Sequence, residues 1–309
     1  MNLLGLLFIT ISIFAGVVKG YCGKNVGAQA ESLTDSAKLN SLRMVLCTLI
    51  SLIVLTTQSG FNSIINVPVF TLVVSALASI ATCIFIISWL MAVRGSAYML
   101  VSVFTNLGVI VPIALSAICF GESITFNKII GILVLLVAIW LMLGYNKTLN
   151  GRFTVKDFIM LFVCGVSNGL CDFIIGGAGK LTKALGGFFG TTDTAIDFGV
   201  FNFYMYVFSF IILLSYTFIS SATHHKATVK IDRKILIYMT LMAVFLFVNT
   251  YFKTLAGELL TSSQLFSVNT GGSLVLASLM ASIIFKEKPN LKSVIGIILT
   301  FVSLFILQG

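Results

Sequence analysis

The segment Phe120-Gly-Glu-Ser-Ile-Thr-Phe-Asn-Lys-Ile-Ile-Gly131 returns 165 residues later as Phe285-Lys-Glu-Lys-Pro-Asn-Leu-Lys-Ser-Val-Ile-Gly296. In each copy a Phe stands two residues before a Glu, and a Gly follows that Glu by nine. Each copy lies between two long apolar runs. A chain that repeats one apolar unit implies two like halves able to move against each other around a central site.

The chain has 309 residues, 58% of them hydrophobic and 9% charged, with a mean hydropathy of +1.10. A soluble domain carries about 25% charged residues, and a bilayer-crossing helix needs about 20 apolar residues. Ten runs of that kind are predicted, at 2–19, 40–57, 69–93, 97–120, 127–145, 157–178, 198–220, 235–252, 260–285 and 291–307. The expected fold class is therefore all-α integral membrane, with short connections and no soluble domain. The longer connection, Gly176 to Asp197, contains six Gly and is expected to be a flexible loop at the membrane surface. The first run lacks a basic leader and is followed by Lys19, so it is expected to remain as helix 1.

The net charge of +9 is read as topology, not as nucleic-acid binding. Fifteen of the 19 Lys and Arg fall on one face of the ten-helix arrangement, and Lys128, Lys180, Lys183 and Lys253 fall on the other. The positive-inside rule then places the fifteen-charge face in the cytoplasm and both termini outside. A bacterial cytoplasmic membrane is expected from the minimal loops and the Ile-, Lys- and Asn-rich composition. The six Cys show no CxxC pair and read as packing residues. His224 and His225 read as a solvated loop, and no metal or other cofactor is expected.

Each half contains five runs. Because five is odd, the second unit (149–309) starts on the opposite side of the membrane from the first (1–148), and the two are inverted repeats. Gly16-Val-Val-Lys19 aligns loosely with Gly169-Leu-Cys-Asp172, which sets opposite charges at related positions. Gly16 and Gly20, Gly23 and Gly27, and Gly165 and Gly169 recur at four-residue spacing, which lets helix backbones approach closely, in a sliding or a static contact.

The duplicated Phe-x-Glu, the polar link and the Ile-Gly that opens the next helix resemble the EamA-type unit of the drug/metabolite transporter superfamily. Trp89-Leu-Met-Ala-Val-Arg-Gly-Ser-Ala-Tyr98 through Pro112 to Glu122 is similar to that unit's third and fourth helices. The resemblance spans the chain as two tandem units and implies alternating-access transport of small organic solutes. One departure is visible: Pro112 corresponds to Ala277 in the second unit, where Gly271-Gly272 could loosen the helix instead.

Polar groups in mid-membrane are costly and face a cavity or a partner helix. Asp172, beside Asn168, is the foremost candidate. It suits a cationic substrate group or a proton, or else an ion pair with Lys19 or Lys253. Lys253 and Glu258 could bind a carboxylate and a proton, or sit at the interface, as Arg94 could; interface placement is the expected one. Arg43 is expected to anchor the first turn of helix 2 at the interface. Trp89, Tyr98, Asn106, Asn202, Tyr204, Tyr206, Asn249, Tyr251, Gln264 and Asn269 are candidate cavity lining. Asp172, Lys19 and Glu258 are the candidates for coupling or ion pairing. Glu122 and Glu287 are expected to cap the helix that follows each of them, and so to be structural.

The function expected is a secondary carrier of a small polar metabolite, an amino acid or an amine, driven by a proton or by exchange. A sugar-phosphate or nucleotide-sugar exchanger is the alternative. No GxxxxGK[ST] loop appears, so ATP drive within the chain is not expected. A polytopic membrane enzyme is the reading of a different class; it is disfavoured because the candidate acids and bases are scattered. The expected partners are a small-molecule substrate, the lipid bilayer and protons. The chain is expected to act as a monomer.

Overall fold

The computed structural model describes residues 2–58, 60–121, 123–150, 154–190, 196–223, 227–287 and 290–306. Among them no strand occurs, and the helices are α1 (Leu3–Gly27), α2 (Leu33–Gln58), α3 (Asn62–Ile65), α4 (Val69–Gly95), α5 (Tyr98–Leu107), α6 (Ile110–Phe120), α7 (Phe126–Asn150), α8 (Val155–Gly176), α9 (Ala178–Phe188), α10 (Phe198–Ala222), α11 (Arg233–Leu259), α12 (Ser262–Ile283) and α13 (Leu291–Ile306). Eight spans among the described residues are long and apolar enough to cross a bilayer, with α5 and α6 counted as one span; the expected fifth and tenth helices correspond to shorter apolar stretches in α7 and α13.

Local chemistry explains the helix starts. Thr154 and Asp157 form a capping box on α8, Thr261 and Gln264 form one on α12, and Asp197 and Asp232 cap α10 and α11. In each case a side-chain oxygen accepts a backbone N–H that the helix itself cannot satisfy. Three expectations need correction. Helix α2 begins at Leu33, not at 40, because Ser32 and Asp35 close its first turn: Asp35 Oδ2 accepts the Ser32 N–H at 3.1 Å. The same carboxylate accepts the N–H groups of Thr228 and Val229 at 2.7 and 2.8 Å, tying the α10–α11 connection to α2. The glycine-rich stretch after Gly176 is not all loop, since α9 occupies Ala178–Phe188.

The third correction concerns the span 97–120, which breaks into α5 and α6 at Gly108 and Val109. Pro112 lacks the N–H that would reach the Gly108 carbonyl, and Val111 N–H bonds that carbonyl instead at 3.0 Å. At the break Gly108 lies so close to Gly165 and Gly169 of α8 that a Cβ on any of the three would collide with backbone. Helix α12, with Ala277 where the first half has Pro112, runs unbroken.

The packing is reciprocal. Helix α1 packs on α11 and α12, as α8 packs on α4 and α5; α2 packs on α10, and α7 on α13. Polar side chains help fix these contacts. Ser75 Oγ and Ser79 Oγ of α4 donate to the carbonyls of Phe201 and Met205 on α10 at 3.1 and 2.8 Å, with Cys83 Sγ to Ser209 at 3.6 Å one turn on. In lipid such bonds contribute about 0.6 kcal/mol each. The described Cys are free, and all but Cys119 are buried, as packing residues should be. His224 and His225 lie outside the described residues.

Candidate functional site

A cavity of about 120 Å3 lies where α1, α2, α4, α5, α8, α11 and α12 converge. That is room for several waters, since one needs about 10–15 Å3. Its wall includes Lys19, Arg43, Trp89, Tyr98, Asn106, Asn168, Asp172, Asn249, Lys253 and Asn269, along with Ser102, Thr105, Thr270 and Ser273.

Asp172 and Lys253 form a tight ion pair across α8 and α11, with Lys253 Nζ 2.5 Å from Asp172 Oδ1. Both residues are buried. Asn168 Nδ2 donates to the Thr105 carbonyl at 3.2 Å and to Asp172 Oδ2 at 3.4 Å. Asp172 is therefore held by two partners, and of the readings open to it the structure has the pair with Lys253. The interface position expected for Lys253 is corrected by the same contact, which holds it on the cavity wall a turn and a half before α11 ends.

Lys19 lines the cavity without an ion pair or hydrogen bond among the described residues. Arg43 is the largest departure from expectation. It is not in the first turn of its helix but ten residues along α2, is 2% exposed, and reaches the cavity wall. Its Nε and Nη2 have no hydrogen-bond partner among the described residues. Asn106 Nδ2 is likewise buried and unpartnered. Asn249 is satisfied: its Nδ2 donates to the Ser12 carbonyl at 2.7 Å and its own carbonyl accepts from Ser12 Oγ at 2.8 Å, locking α11 to α1.

Other candidates lie elsewhere. Asn202 Nδ2 bonds the Phe198 carbonyl within α10 at 2.7 Å, and the Tyr206 hydroxyl bonds Thr250 Oγ1; both residues are fully buried away from the cavity wall. Gln264 belongs to the α12 capping box. Tyr204 reaches the Ile64 carbonyl at 2.6 Å and Tyr251 reaches Gln58 at 3.0 Å. Glu258 pairs with exposed Lys183 at 3.7 Å, and Arg94 donates to the Ala30 carbonyl at 2.8 Å.

Glu287 caps a helix, but not the one that follows it. Its Oε1 and Oε2 accept the N–H groups of Tyr98 and Met99 at 2.8 and 3.0 Å, closing the N-terminus of α5 in the other half of the chain. Helix α13 is capped instead by Asn290, which accepts the Ser293 N–H at 2.9 Å. Lys24 Nζ stands 3.8 Å from Glu287 and 5.8 Å from the Phe285 ring centre. At the other motif Lys180 stands 5.9 Å from the Phe120 ring centre. The leading Phe of each copy, Phe120 and Phe285, thus stands near a Lys of the opposite half. Glu122 lies outside the described residues.

Residues 181–308 match the EamA-like transporter family, consistent with the drug/metabolite transporter superfamily. Members of that family are transporters rather than enzymes. Together with the long apolar helices, the match marks a multi-pass integral membrane protein. No curated protein matches the chain. A solved structure titled only "Crystal structure of protein" is similar with a TM-score of 0.58 at 11% identity, over 94% of this chain and 95% of that one; the likeness is one of fold alone.

Proposed function

We propose that the chain is a secondary carrier that moves a small polar organic solute through the central cavity by alternating access. The observation that carries the reading is the cavity wall itself. Four of its helices come from residues 1–148 and three from residues 149–309, and Arg43, Asn106, Asp172, Asn249, Lys253 and Asn269 are buried within those apolar helices. Polar side chains held there mark a solute path.

The moving parts are two five-helix units in inverted orientation. The reciprocal packing of α1 and α8 and the matched Lys–Phe contacts at the two motifs support this division. Sites between inverted repeats are exposed to either side by rocking one unit against the other. The excess of Lys and Arg on one face supports a cytoplasmic position for that face, with both termini outside, in a bacterial cytoplasmic membrane. Drive is by a proton or by exchange, and a single chain supplies both units, so a monomer suffices.

Counterflow in proteoliposomes tests the reading. A carrier takes up labelled solute faster when unlabelled solute is present on the other side. Flux indifferent to the opposite side would mean a channel, and conversion of solute without net movement would mean an enzyme.

A further inference from the structure

Three cations and one carboxylate are found among the described residues that line the cavity: Lys19, Arg43 and Lys253 against Asp172. Lys253 already occupies Asp172 at 2.5 Å. Two positive groups remain without a counter-charge in contact, and one of them, Arg43, is nine-tenths and more buried. A buried guanidinium with idle N–H groups is costly unless something accepts from them for part of the working cycle. Among the described residues the unpartnered buried side-chain atoms on this wall are Arg43 Nε, Arg43 Nη2 and Asn106 Nδ2, and all three are donors. The wall therefore carries three cations against one carboxylate, and its idle buried groups among the described residues are all N–H donors.

Resting on the carrier reading of this cavity, we infer that the solute is bound through an anionic group, a carboxylate or a phosphate, held by Lys19 and Arg43 and assisted by Asn106. Asp172 is already engaged, with Lys253 on Oδ1 at 2.5 Å and Asn168 on Oδ2 at 3.4 Å, so a solute cation would have to compete with Lys253 for it. The guanidinium fork of Arg43 suits a planar carboxylate or a phosphate through two parallel bonds, and the single charge of Lys19 adds attraction from α1. A simple amine does not fit this site. An amino acid fits through its carboxylate, and a phosphorylated sugar through its phosphate.

The test is thermal unfolding of the purified chain in detergent at constant ionic strength. The probes are glutamate, glycerol 3-phosphate and inorganic phosphate against ethanolamine and choline. At least one anion is expected to raise Tm saturably while neither cation does, and the effective anion separates carboxylate from phosphate. Lys19→Gln and Arg43→Gln are each expected to weaken the apparent affinity about tenfold or more, the loss of one charge-assisted bond. Arg43→Lys should restore part of it. If Arg43→Gln gives no folded protein, Lys19→Gln carries the comparison. Stabilisation by a cation alone, by no anion, or equally by anions in wild type and Lys19→Gln overturns the assignment. Counterflow of the same probes separates the two readings. Anion binding without trans-acceleration defeats the carrier and leaves the anion site, whereas trans-accelerated ethanolamine flux does the reverse.

Discussion

Glu287→Gln probes the long-range cap most sharply. Helix α5 begins after Ala97, which has no side-chain acceptor, so the N–H groups of Tyr98 and Met99 rely on the two oxygens of Glu287. Gln keeps one oxygen and turns an NH2 toward the other N–H. One charge-assisted bond is lost, at about 1.5–3 kcal/mol. The favourable charge at a helix N-terminus goes with it, at about 0.3–1 kcal/mol. Lys24, at 3.8 Å and partly exposed, adds under about 1 kcal/mol. The expected destabilisation is about 2–4 kcal/mol. Reversible denaturation in micelles, followed by far-UV circular dichroism, measures it. Lys24→Met is the control and should cost under about 1 kcal/mol. A Glu287→Gln midpoint equal to wild type would refute the cap. Normal folding with loss of pH-dependent transport would make Glu287 a coupling group instead.

The buried ion pair and the close glycine crossings give further tests. Asp172→Asn leaves Lys253 buried without its partner and should cost about 3–5 kcal/mol, while Asp172→Asn with Lys253→Met should recover most of that; additive losses in a double-mutant cycle would argue against the pair. Gly169→Ala and Gly257→Ala drive a Cβ into the carbonyls of Gly108 and Gly176 and should each cost about 1–3 kcal/mol. Gly187→Ala meets open space within α9 and should be neutral or stabilising by about 0.5–1 kcal/mol. Equal melting temperatures for Gly169→Ala and Gly187→Ala would deny the close helix crossing.

Much of the cavity was legible because a polar residue inside an apolar run is conspicuous. Asn106, Asn168, Asp172, Asn249 and Asn269 were found that way, and all line the wall. The same signal also picks out Asn202 and Tyr206, since hydropathy cannot tell a cavity wall from a packed helix interior, where Asn202 Nδ2 bonds the Phe198 carbonyl and Tyr206 bonds Thr250 of α11. Arg43 lies away from its expected place because Thr34, Asp35 and Ser36 lower the hydropathy of the first turns of α2, which puts the predicted start of the apolar run at 40. Once α2 begins at Leu33, Arg43 falls inside the span. Gln264 carried a readable sign, the Thr261-x-x-Gln264 capping box. The partner of Glu287 had none: it caps residues 188 and 189 positions earlier, a relation set by how the two halves pack and not by any local spacing.

Alternating access requires that one cavity open in turn to both sides of the membrane. Ser102 of α5 lines that cavity, so Ser102→Cys in a chain whose six native cysteines are replaced by Ser or Ala reports on it directly. A membrane-impermeant maleimide is applied to right-side-out and to inside-out vesicles. Labelling is expected from both sides, with the ratio of the two rates shifted by transported solute. Labelling from one side only, whatever solute is present, would contradict alternating access.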